Sequence, residues 1–163
     1  MIAAAVFDLD GTLACLPVNW GALFEELKRV MHADTVRPLV DTVSRLDGKT
    51  RVEVFAVWDR AEVAIFQSAT ACGEGMRLYR EFAGKPKALV TLQGKAVVTL
   101  ILEKFGLSFD VVVTREDSLF RAEQLLMAAK KLKVPPKNLL FVGNADSDAA
   151  AAQKVGCQFQ RIK

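Results

Sequence analysis

Two kinds of hydrophobic pattern divide the chain. Five short runs, IAAAVF (residues 2–7), KALVTL (87–92), FDVVVT (109–114), NLLFVG (138–143) and CQFQRI (157–162), are mostly continuous in apolar character and end in polar or glycine-containing turns. Strands buried on both faces of a sheet read this way, because neither face favours a polar residue. Between the later runs, Lys95 to Phe105 and Ala122 to Leu132 space apolar residues three and four apart, as one helical face requires. Strand alternating with helix predicts a parallel sheet with crossover helices: an α/β, doubly wound layer of about five strands.

The interval from Leu16 to Pro86 has a different texture, with no convincing strand. Trp20, Leu23, Phe24, Leu27, Val30 and Met31 make one apolar stripe, and Val36, Leu39, Val40, Val43 and Leu46 make another. Pro38 is tolerable in a first turn. A third helix is expected over about 52–68 and a fourth over about 74–82, with Gly84 and Pro86 closing the segment. The expected organisation is an α/β core of residues 1–15 and 87–163, interrupted by a four-helix cap at 16–86.

With 52% hydrophobic residues, 163 residues suffice for one domain carrying an insertion. A net charge of +3 on dispersed basic residues gives no electrostatic reason for a nucleic-acid or membrane partner, so a small molecule or a protein is expected. No run approaches the ~18 apolar residues of a membrane span, and MIAAAVFDLD has no basic leader, so the expected location is cytoplasmic. Cys15, Cys72 and Cys157 are odd in number and lack metal or redox spacing. They read as buried apolar thiols, with no disulfide predicted.

Ligands of open α/β sheets bind beyond the carboxyl ends of the strands. The first run ends in DLDGT, which puts Asp8 and Asp10 two apart and so toward one side if extended, with Gly11 allowing a sharp bend and Thr12 offering a hydroxyl. Two acids together are costly unless a positive partner binds. Thr91 and Leu92 end the second run, Thr114 the third, and Gly143 the fourth, which continues as NADSD. Acids from the first and fourth runs would converge on a hard divalent cation such as Mg²⁺.

These motifs resemble those of the haloacid dehalogenase superfamily, on its phosphatase side. DLDGT matches the family's first motif, ALVTLQGK resembles the second, and FVGNADSD resembles the fourth with Asn144 in place of its first acid. The third motif's lysine has Arg121 as its counterpart here, and the helical insertion corresponds to the family's cap. The resemblance implies a phosphatase of a small phosphorylated metabolite, in which Asp8 attacks phosphorus to give an aspartyl-phosphate and Asp10 protonates the leaving oxygen and then deprotonates water. It further implies Thr91 on the phosphoryl group, Gly11, Thr12 and Leu92 at the substrate, and Mg²⁺ held by Asp8, Asp10, Asn144 and Asp148. Asp10 argues against a dehalogenase proper, which lacks the second acid and the metal.

Three positions keep two readings each. Arg121 is a surface arginine or the lysine's substitute. The second is preferred, because a cation in a helix's first turn opposes the dipole and so is not there for helix stability. Asn144 is a turn residue or an amide ligand, while Asp146 is read as a helix cap. Gly48, Lys49 and Arg51 are a solvated turn or a basic specificity loop for substrate. His32, Cys15 and the Arg115–Asp117 cluster are read as structural. A sugar phosphomutase would use the same aspartyl-phosphate, and a phosphate- or partner-binding protein without turnover is the reading from another class.

Overall fold

The computed structural model describes residues 1–163. All five apolar runs form strands of one parallel sheet: β1 (Ala4–Asp8), β4 (Lys87–Val90), β5 (Val111–Val113), β6 (Leu139–Gly143) and β7 (Gln158–Arg161), in the order β5-β4-β1-β6-β7. A short antiparallel pair, β2 (Ala14–Cys15) with β3 (Thr70–Ala71), lies outside it. The chain leaves β4 outward to β5, then returns to the other side of β1 for β6. The strand order therefore reverses at β1, the place where such sheets open a crevice. Register puts Asp8 beside Val90 and Phe7 beside Val142, so the loops after β1, β4 and β6 emerge side by side.

Successive β1 side chains point to opposite faces and supply two cores. Ala5 and Phe7 join Leu89, Ile101 and Val142 under helix α5 (Lys95–Phe105), whereas Ala4 and Val6 join Leu125, Ala128 and Phe141 under α6 (Arg121–Leu132) and α7 (Asp146–Val155). Both helices expected between the later strands thus form almost at their predicted bounds.

Four helices also form between Leu16 and Pro86: α1 (Trp20–Met31), α2 (Leu39–Ser44), α3 (Gly48–Ile65) and α4 (Gly73–Glu81). They do not make a single body. Helices α1 to α3 share a third cluster with Leu23, Leu27, Val43, Val54 and Trp58. Helix α4 instead puts Leu78 into the Phe7 cluster and Tyr79 edge-on against Phe7, 6.1 Å between ring centres, so it covers the sheet. Gly75 of α4 is buried, and a Cβ there would collide with the Thr12 carbonyl, which explains a glycine inside a helix at this point.

Helix α3 starts earlier than its apolar spacing predicts. Asp47 accepts the Thr50 N–H at 2.8 Å and caps the helix, so Gly48, Lys49 and Arg51 are its first turn and not a loop. No helix is long and apolar enough to cross a membrane.

Candidate active site

Asp8 ends β1 with only 5% of its surface exposed. Gly11 turns the chain with φ +79°, and a Cβ there would collide with the Asn144 side-chain amide, so glycine lets the loops after β1 and β6 touch. Thr12 is fully buried behind them. Its hydroxyl lies 3.3 Å from Asp8 Oδ2 and 3.4 Å from Asn144 Oδ1.

Arg121 opens α6 and reaches across to both acidic strand ends. Its Nη2 donates to Asp8 Oδ1 and its Nε to Asp148 Oδ1, each at 3.0 Å, while Nη1 donates to Gln124 Oε1 at 2.8 Å. The fork of a guanidinium serves three acceptors that a lysine ammonium could not meet in one plane. Gln124, also fully buried, donates its amide to the Thr91, Thr114 and Ser118 carbonyls, tying the ends of β4 and β5 to the residue that steadies Arg121. Asp148 accepts the Asn144 and Ala145 N–H groups at 3.2 Å through its other oxygen. It therefore caps α7, the task expected of Asp146. Asp146 faces solvent and pairs with Arg161 at 2.7 Å.

Electrostatics follow from burial. Loss of solvent pushes the Asp8 carboxyl up to about 7, with Arg121 pulling it down and Asp148 adding repulsion. Asp10 keeps a solvent-facing edge, but its crowded surroundings raise its carboxyl as well, against the Leu16 N–H that donates to Oδ1 at 2.9 Å. Thr91 Oγ accepts the Gln93 N–H at 3.0 Å, which leaves its own proton free to donate.

The donors present fit a hard cation. Asp8 Oδ2 and Asn144 Oδ1 share one hydroxyl at long distances, so both oxygens face the same small space and one proton cannot satisfy them. No three His, Cys, Asp or Glu side chains converge closely enough to hold an ion by themselves, so a cation here would rest on Asp8 and Asn144 with water completing its shell. Four carboxyl groups, Asp8, Asp10, Glu62 and Asp148, line the space against one guanidinium.

These residues line a cavity of about 300 Å³. Asp8, Asp10, Thr91, Arg121, Asn144 and Asp148 form one side. Val18 and residues of α1 to α3, namely Trp20, Leu39, Val40, Trp58 and Glu62, supply the other. Leu92 and Gln93 edge it.

Some expected substrate residues lie elsewhere. Gly48, Lys49 and Arg51 sit at the start of α3, eleven to fourteen residues or roughly 17–21 Å of helix from Glu62, and Arg51 donates to the Ser44 carbonyl at 2.6 Å. Gly11 and Thr12 shape the floor without lining the cavity. Arg115, read from the sequence as part of a loop and helix-start cluster, is 1% exposed. It pairs with Asp59 and, at 2.8 Å, Glu62 of α3, and stacks 4.1 Å from the Trp58 ring centre, fastening α3 to the end of β5. Its charge hid this role, since arginines are mostly exposed. The intervals to Trp58 and Glu62, cavity residues that sequence reasoning missed, carry no motif.

Residues 81–162 match the model of the haloacid dehalogenase-like hydrolases, and the chain belongs to that family. It is 28% identical to an uncharacterised hydrolase of Saccharomyces cerevisiae over 96% of this chain and 75% of the relative. Solved structures similar in fold include a HAD phosphatase from Thermococcus onnurineus, with TM-score 0.68, 22% identity, and coverage of 99% of this chain and 86% of that one. Another is CbbY from Rhodobacter sphaeroides in complex with xylulose-1,5-bisphosphate, with TM-score 0.69, 19% identity and coverage of 98% and 85%.

Proposed function

We propose that this hydrolase is a Mg²⁺-dependent phosphatase that cleaves a small phosphate monoester through an aspartyl-phosphate on Asp8. The observation that carries the reading is the Arg121 bridge between Asp8 and Asp148 on the cavity wall, beside Asp10 and Thr91. A buried carboxylate held by one fixed cation on Oδ1, with only a long contact from the Thr12 hydroxyl on Oδ2, is oriented for attack.

In this reading an Asp8 oxygen bonds to phosphorus as the ester P–O bond breaks, and Asp10 gives its proton to the leaving oxygen. Its raised carboxyl suits that role. Asp10 then takes a proton from the water that attacks phosphorus, the Asp8–phosphorus bond breaks, and inorganic phosphate leaves. Thr91 donates its free hydroxyl proton to a phosphoryl oxygen, while Arg121 prevents Asp8 from swinging away. Mg²⁺, held by Asp8 and Asn144 with water completing its shell, would offset phosphoryl charge.

The test is phosphate release from a generic phosphoester with and without Mg²⁺. Asp8→Asn should reduce it to background, and undiminished turnover by that variant would reject the mechanism. A second reading rests on Asn144, which costs the site one negative charge: the chain binds a phosphorylated ligand and does not turn it over. Thermal stabilisation by such a ligand, with no product after long incubation, would favour it.

A further inference from the structure

We propose, building on the phosphatase reading, that the ester carries a single phosphate on an uncharged apolar or aromatic alcohol, which seats against Trp20. The only cation lining the cavity is Arg121, and its three nitrogens already serve Asp148, Gln124 and Asp8. A second phosphate or a carboxylate on the substrate would meet Asp10 and Glu62 and find no positive partner. The cap side instead offers Val18, Leu39, Val40 and two tryptophans. Trp20 is 39% exposed, unusual for its size, and stands edge-on to Trp58 with ring centres 6.2 Å apart. An apolar group laid there covers surface that water otherwise wets. Hydrolysis yields the neutral alcohol, protonated by Asp10, and inorganic phosphate from the Asp8 intermediate.

Benzyl phosphate, 2-phosphoglycolate and fructose 1,6-bisphosphate are all alkyl esters, so leaving-group reactivity differs little among them. With Mg²⁺, kcat/KM for benzyl phosphate should exceed both others by about tenfold or more. Trp20→Ala should erase that preference, chiefly by raising KM for benzyl phosphate while KM for the two charged esters moves little. Trp20 is partly exposed in the first turn of α1, and circular dichroism checks that the fold persists. Calorimetric binding to Asp8→Asn, which cannot turn over, should rank the ligands in the same order. Turnover that favours the charged esters overturns this inference alone. Benzyl-selective binding without turnover by the natural chain overturns only the phosphatase reading.

A second inference has its own observation, at the neck where the chain enters and leaves the cap. Cys15 ends β2 and Cys72 follows β3, and pairing of these strands brings the two sulfurs to 3.3 Å although 57 residues separate them. We infer that this pair is an oxidation site that closes to an intrachain disulfide. With hydrogen peroxide as oxidant, the exposed Cys15 thiolate attacks one oxygen, the O–O bond breaks, and a sulfenic acid and hydroxide result, the hydroxide taking up the proton the thiol had released to become water. Cys72 sulfur then bonds to Cys15 sulfur and expels a second water, so two thiols lose two electrons to one peroxide. Burial, with Cys15 itself and Asp10 adding, pushes the Cys72 thiol up to about 12, and Cys15, the more exposed of the two sulfurs, meets the oxidant first.

Peroxide treatment should yield a Cys15–Cys72 peptide by mass mapping and a higher Tm that dithiothreitol reverses. Cys15→Ser and Cys72→Ser should abolish both effects, while Cys157→Ser should not. Sulfinic acid, intermolecular dimers or no reaction in place of the intrachain link would overturn it.

Discussion

Asn144 stands beside Asp8 across the Thr12 hydroxyl, where its amide oxygen can face a cation but adds no charge. Asn144→Asp should therefore tighten Mg²⁺ binding about tenfold, equivalent to about 1.4 kcal/mol, and lower the Tm in chelator, where a further carboxylate crowds the buried Asp8. Titration calorimetry with parallel assays checks this, and unchanged affinity and rate would mean that Asn144 does not face the ion. Arg121 gives a sharper case. Arg121→Met leaves Asp8 and Asp148 buried without their cation and should cost about 3–5 kcal/mol in urea unfolding near neutral pH. Arg121→Lys should recover part of it, since an ammonium restores the charge without the three-way fork. The Met variant's deficit should shrink as acid neutralises the carboxylates. If the two variants unfold alike, the bridge contributes little.

The elements were legible wherever burial imposes one period: the five core strands and α1, α5 and α6 lie close to their expected bounds. Expectation failed where short-range chemistry or packing outweighs the apolar pattern. Asp47 extends α3 upstream of its first apolar residue, and α4 has an ordinary amphipathic sequence that does not say which core it joins. A pair of glycines at that helix tests its placement. Gly75→Ala should force α4 away from the Thr12 carbonyl, costing about 1–3 kcal/mol by overpacking and lowering turnover, because Thr12 supports Asp8. Nothing lies within 4 Å of a Cβ at Gly73, so Gly73→Ala should be neutral or stabilising by about 0.5–1 kcal/mol. Denaturant titration of both compares the sites, and a harmless Gly75→Ala would contradict the close approach.

Across the whole molecule, Glu62 joins α3 to the strand ends of the sheet through Arg115 and the Gly94 N–H. Burial raises its carboxyl from 4.5 to about 7, with Arg115 opposing. The folded state thus holds the proton more tightly, and the resulting stability is present below about 4.5 and lost as pH rises through 7. Glu62→Gln lacks that proton, so the natural chain should lose up to about 3 kcal/mol relative to the variant between pH 4.5 and 8. Urea midpoints at both pH values measure it, and a constant difference would rule it out. The sequence by itself determined the layered α/β core and the addresses of Asp8, Asp10, Thr91, Arg121 and Asp148, because strand-end motifs and side-chain periodicity are local. Tertiary structure alone decided that Arg115 is buried, that Asp148 and not Asp146 caps α7, that Trp20 and Trp58 wall the cavity, and that Cys15 meets Cys72. Each of these depends on which distant segment shares a surface, a matter of packing that no local spacing encodes.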